Sequence, residues 1–158
     1  MYDPIMLTLD GSELAEKAIP HAVAIAKQFG ARLLVVRVVP PVVQPLDVDY
    51  GMSAPYGYEK IIEAEVQGAN DYLAGIVKAI EAEGLSVETA TPLGEPATAI
   101  LDTANQQGVG LIVMATHGRT GFRRLVFGSV ADRVLREAEI PVLLIRAQGR
   151  DQSPDKKS

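Results

Sequence analysis

The residues best equipped for chemistry lie near the C-terminal third of the chain, where Met114, Ala115, Thr116, His117, Gly118, Arg119, Thr120 and Gly121 are followed by Gly128 and Ser129. Glycines at 118, 121 and 128 let a main chain take positive φ and come close to a ligand. Gly128 and Ser129 open a predicted helix, whose first amides lack intrahelical partners and whose dipole favours an anion. The chemistry on offer is phosphate binding. Local charge agrees, since Arg119, Arg123, Arg124, Arg133 and Arg136 face the single acid Asp132 within a chain of net charge -5. Glycines at a strand exit and a helix start are also ordinary turn chemistry. The segment is neither a Walker A loop, which needs a lysine after its last glycine, nor the dinucleotide fingerprint.

Two further side chains carry alternative readings. Asp10 closes the first apolar run, where an aspartate either meets a ligand or caps nearby amides. His117 is placed either to donate to a phosphate and move a proton or to organise the backbone around it. His21 falls on the first helix with no partner implied by the sequence. Phosphoryl transfer requires a positioned acceptor and neutralised charge; the segment supplies a cradle without an identifiable base, so binding is expected rather than turnover, with slow hydrolysis as the catalytic alternative.

These residues need elements to hold them. Residues 5–9 read as a buried strand, and Ser12 as the N-cap of a helix reaching Gly30, kinked at Pro20 because a proline removes one helical bond and crowds the preceding turn. Residues 32–39 form a nearly continuous apolar run, as parallel strands covered on both faces do. Residues 40–58 hold four prolines and two glycines and are expected to be a long loop, either functional or a variable insertion. A helix over residues 59–83 ends at Gly84, a strand covers 86–91, and Pro96 suits the first position of a helix ending near Gly108. A buried strand over 111–115, a helix over 129–137 and a last strand over 141–145 complete the alternation. The pattern predicts an α/β fold with a parallel sheet and helices on both faces. The last strand, apolar and followed by Arg146, is a candidate for pairing across a two-fold axis.

At 158 residues, with 47% hydrophobic and 22% charged side chains, one globular domain is expected. The absence of cysteine removes disulfides, thiolate metal sites and cysteine nucleophiles. The start lacks a basic, apolar leader and no apolar run approaches ~18 residues, which predicts a cytoplasmic protein without a membrane anchor. Net acidity argues against general nucleic-acid affinity. Residues 1–146 are assigned to the domain and residues 147–158 to a polar tail expected to be disordered.

The order Leu9, Asp10, Gly11, Ser12, with residues 114–118 and then Gly128, Ser129, Val130, resembles universal stress proteins over roughly residues 3–146. Their nucleotide-binding members carry a glycine, two residues, a second glycine, nine residues, then glycine with serine or threonine. Gly118, Gly128 and Ser129 match this spacing, and Ala115 replaces the first glycine. The resemblance implies a Rossmann-like, doubly wound sheet of five parallel strands in the order 3-2-1-4-5. It implies ATP, or ADP or AMP, as ligand, with magnesium reached by Asp10 through the phosphates. Thr8 and Val38 would border the adenine, Asp10 the ribose or phosphates, and Met114 and Ala115 the ribose and base side, with Leu9 also among the nucleotide-binding residues. His117, Gly118, Arg119, Gly128, Ser129 and Val130 would surround the phosphates. It further implies a homodimer through the last strand and a nucleotide-responsive regulatory or stress-resistance role. The alternative, marked by Ala115, is a dimeric scaffold that has lost the nucleotide.

Overall fold

A computed structural model describes residues 1–42, 54–118 and 128–148. Five strands, β1 (Ile5–Thr8), β2 (Leu33–Val36), β3 (Val87–Ala90), β4 (Leu111–Gly118) and β5 (Val142–Gln148), alternate with helices α1 (Glu13–Glu16), α2 (Ile19–Phe29), α3 (Ala54–Glu81), α4 (Pro96–Gln106) and α5 (Ser129–Glu137). The strands form one sheet in the order β3-β2-β1-β4-β5, and every pairing is parallel. The five-stranded, doubly wound arrangement expected from the sequence is the one observed.

Strand alternation divides the apolar residues between two layers. Ile5, Leu7 and Leu9 of the first strand region join Leu33, Val35, Leu111 and Val113 beneath α1, α2 and α3. Met6, Leu34, Val36, Ile112 and Met114 pack on the other face against Ile100 of α4 and Val134 of α5. Both faces are covered, which is why β1, β2 and the start of β4 read as unbroken apolar runs.

Local boundaries differ from the sequence expectation where proline and pairing decide them. The first helix is not one kinked rod but two helices: α1 ends at Glu16 and Pro20 lies in the first turn of α2. Glu16 is the residue whose carbonyl a helical Pro20 would crowd, so the chain breaks there and restarts with proline where its missing N–H is harmless. Helix α3 begins at Ala54, inside the segment expected to be a loop, with Pro55 again near a helix start; residues 43–53 of that segment lie outside the described residues. Strand β4 runs on to Gly118 because β5 pairs with it as far as Gln148. Ala147 and Gln148 thus belong to the sheet rather than the tail, whose residues 149–158 lie outside the described ones. Among the described residues no helix is long and apolar enough to cross a membrane.

Candidate functional site

The chain runs from β1 outward through β2 to β3, then crosses to β4 and β5 on the other side of β1. At such a reversal the loops leaving the carboxyl ends of neighbouring strands diverge and leave a crevice. A cleft of about 570 Å³ opens there, between Thr8, Leu9 and Asp10 after β1, Val36, Arg37 and Val38 after β2, Met114, Ala115 and Thr116 of β4, and Gly128, Ser129 and Val130 at the start of α5. That volume suits a small organic ligand.

Of the residues singled out in the sequence, Thr8, Leu9, Asp10, Val38, Met114, Ala115, Gly128, Ser129 and Val130 line this cleft together. His117 and Gly118 continue β4, with backbones in register with Ala147 and Gln148. They are therefore strand residues rather than part of a glycine turn. Arg119, with Arg123 and Arg124, lies outside the described residues.

Helix ends set the electrostatics of the cleft. Asp10 Oδ1 accepts from the Ser12 amide at 2.9 Å and the Ser12 hydroxyl at 2.6 Å. Ser12 Oγ in turn accepts from the Ala15 amide at 3.1 Å, capping α1. Asp10 thus organises its own turn, as an aspartate at this position often does, while remaining exposed on the cleft wall. Helix α4 is capped by Glu95, which accepts from the amides of Ala97 and Thr98 and from the Thr98 hydroxyl. Helix α5 has Gly128 at its N-cap and no side-chain cap bond. Among the described residues, two of the three helix starts beside the cleft are closed by side-chain caps, and α5 has none.

Gly128 has φ -32° and ψ 159°, so the left-handed backbone that its glycine permits is not what it adopts. Space is the relevant property: among the described residues, a Cβ built there meets nothing within 4 Å. Ala115 lies within extended β4, opposite Ile145, and packs against the core layer under α1 to α3. Nothing about that backbone requires glycine. Thr116, also on the cleft wall, is 3% exposed, and its Oγ1 finds no hydrogen-bond partner among the described residues. Buried hydroxyls are normally paired.

Two of the five arginines, Arg133 and Arg136, lie among the described residues. Arg133 joins Glu137 at 2.9 Å and Glu95 across to α4. Arg136 pairs with Asp132 at 2.7 Å. Both are committed to surface ion pairs, so neither contributes a free charge to the cleft. The Glu95 carboxyl is held down at about 2, first by its bond from the Thr98 amide, then by the Thr98 hydroxyl, with the Ala97 amide and Arg133 adding to it. A depressed folded-state pKa contributes stability that is complete above the ordinary glutamate range and lost as pH falls toward the folded value. The melting temperature of the unmodified protein should therefore exceed that of Glu95→Gln at pH 6, and the gap should close between about pH 4.5 and pH 2. A constant gap across thermal melts in that window would show that the charge of Glu95 is irrelevant to the α4 cap.

Sequence reasoning missed Arg37, Pro40, Glu65, Pro96 and Ile100, which also line the cleft. Arg37 was signalled as the lone charge inside the apolar run of residues 33–39; Glu65 and Ile100 arrive from distant helices and leave no local trace.

The sequence pattern of the universal stress protein family matches residues 1–146. The chain belongs to the universal stress protein family. A family relative from Methanocaldococcus jannaschii is 35% identical over 146 residues, covering 92% of this chain and 83% of its own. Among solved structures, the universal stress protein UspA from Lactobacillus plantarum superposes with a TM-score of 0.74 at 26% identity, over 92% of this chain and 98% of its own. The universal stress protein from Archaeoglobus fulgidus in complex with dAMP gives 0.64 at 28% identity, over 92% and 98%.

Proposed function

We propose that the cleft binds an adenine nucleotide, ATP with ADP and AMP as its shorter forms, and that the protein is a nucleotide-responsive regulatory or stress-resistance factor of the cytoplasm. The observation that carries this reading is the N-terminus of α5: Gly128 and Ser129 line the cleft and, among the described residues, no side chain caps that helix, while Ser12 and Glu95 close the helices beside it. Amides at a helix start suit a phosphate. The Archaeoglobus relative with dAMP supports adenine as the base. Thr8, Leu9 and Val38 would border the base, Met114 and Ala115 the ribose, and Ser129 would add its hydroxyl to the amides of Gly128 and Val130. His117, Gly118 and Arg119 remain assigned to the neighbourhood of the outer phosphates.

A magnesium ion would come with the phosphates, since no cluster of three potential ligands occurs among the described residues. Asp10, with one oxygen given to Ser12, keeps a second for that ion or for the ribose. The partly exposed edge strand β5 would pair with its copy in a homodimer. Extended backbone at Ala115 favours retained binding over the scaffold reading, because a methyl group there strains nothing.

Denaturing freshly purified protein and identifying released small molecules by mass spectrometry tests the reading. At ~100 times its dissociation constant a nucleotide adds roughly 2.7 kcal/mol, which for a chain of this size raises the melting temperature by about 5–10 °C. No released nucleotide together with no shift at millimolar ATP and magnesium would end the proposal.

A further inference from the structure

Arg37 is the cationic group among the described residues lining the cleft, and the reading above leaves it without work. It follows β2 directly, is half-buried and lines the cleft. Its guanidinium carbon lies 4.9 Å from the centroid of the Tyr72 ring. Tyr72 is fixed in turn, its hydroxyl donating to Glu16 Oε1 at 2.8 Å. Burial, followed by the Glu16 bond, pushes the Tyr72 phenol well above its ordinary pKa, so the ring stays a neutral donor and its face stays available to a cation.

Stacking of this kind holds a guanidinium by its flat face and leaves its N–H edges directed outward. No carboxylate among the described residues lies within ion-pair distance of Arg37, although Asp10 is near enough to influence the same tyrosine. Gly11 supplies the room. A Cβ there would stand 3.2 Å from the guanidinium carbon and 3.2–3.3 Å from its terminal nitrogens, at a φ of +87°. The cation therefore rests over the residue that follows Asp10, at the exit of β1 and β2.

The open amides of α5 lie on the other side of β1, after β4. Adjacent strands are about 4.8 Å apart, so the exits of β2 and β4 are separated by about 10 Å. A phosphate seated on α5 leaves Arg37 unmatched. A ligand that satisfies both needs a second anion on the portion lying beside Asp10, which in the nucleotide reading is the ribose.

We propose that Arg37 is a second anion contact of this cleft, selecting adenine nucleotides that carry a phosphate on a ribose hydroxyl as well as at the 5′ position. The inference rests on the nucleotide reading and adds a ligand class to it. Tyr72 and Glu16 are positioning residues for the guanidinium, and Gly11 keeps its place clear.

Calorimetric titration of the full chain with AMP, adenosine 2′,5′-bisphosphate and adenosine 3′,5′-bisphosphate, at one ionic strength, tests it. At least one bisphosphate should bind about tenfold or more tightly than AMP, the gain expected of a charge-assisted contact. Arg37→Gln should bring that ratio close to one while AMP affinity stays within about twofold. Arg37→Met, which keeps an aliphatic stem over the Tyr72 ring, should do the same and serves if the glutamine variant does not fold. A ratio of one in the unmodified protein, with AMP bound, overturns the role of Arg37 alone. A ratio retained in both variants does so too. Failure of all three nucleotides to bind overturns the nucleotide reading and this inference with it.

Discussion

Gly128→Val is expected to lower nucleotide affinity about tenfold or more while the ligand-free protein melts within about 4 °C of its parent. The first half follows from position. Gly128 is the N-cap of α5, and a Cβ on it meets no atom of the described residues within 4 Å; in the proposed complex that space belongs to the phosphates. Two added methyl groups would hold an anion away from the amides, and each charge-assisted bond so lost is worth about 1.5–3 kcal/mol. The second half follows from backbone geometry. With φ negative, valine meets no left-handed penalty, and its poorer capping costs about 1 kcal/mol. Calorimetric affinity and a thermal melt measured side by side decide it. Unchanged affinity would place the phosphates elsewhere than α5.

Gly110→Ala should do the reverse, lowering stability by about 1–3 kcal/mol, or roughly 2–12 °C in melting temperature, without changing affinity. Gly110 precedes β4 at the end of the sheet opposite the cleft. A Cβ there would stand 2.9 Å from the Met1 carbonyl oxygen, 3.0 Å from Tyr2 Cα and 3.1 Å from Asp3 N. These are backbone atoms, so no side-chain tip can swing aside. One way out lifts the N-terminal segment, breaking the 2.9 Å bond from the Gly110 amide to the Pro4 carbonyl, the edge-on contact of Tyr2 with Phe29 and the Asp3 bonds to Arg32. The other shifts the start of β4 away from the register that sets Ile5 opposite Leu111. A melting temperature equal to that of the parent would mean that the N-terminus is not seated as described. The two variants together separate the binding end of the sheet from its structural end.

The alternation of apolar runs with amphipathic helices was enough to place all five strands and most helices, because β1, β2 and the start of β4 are buried on both faces and the helices between them carry an apolar stripe. What the sequence concealed arises where distant segments meet. The continuation of β4 to Gly118 depends on β5 lying beside it, and a glycine-bearing segment read alone looks like a turn. The break between α1 and α2 was signalled by Pro20, but whether a proline kinks or ends a helix depends on what the freed carbonyls find nearby. At the site, residues on strand exits could be placed because a reversal of strand order gathers them. Arg37 shows the limit most clearly: an arginine in an apolar run is visible in the sequence, whereas the Tyr72 face that orients it lies 35 positions further along the chain. Of the five arginines in that excess, the two among the described residues are engaged elsewhere. Counting charges could not reveal that Arg133 and Arg136 are spent on Glu95, Glu137 and Asp132.

The glutamate that closes α4 has a consequence for the direction in which a guest lies. Glu95 and Gly128 stand at neighbouring helix starts with opposite preferences: one already bears a carboxylate, the other bears nothing. In the proposed complex an anionic end would find the α4 amides already taken by Glu95, itself paired with Arg133. It would find the α5 start, among the described residues, without a side-chain cap, so the head-to-tail sense of docking would favour the anion at α5 before any base contact forms.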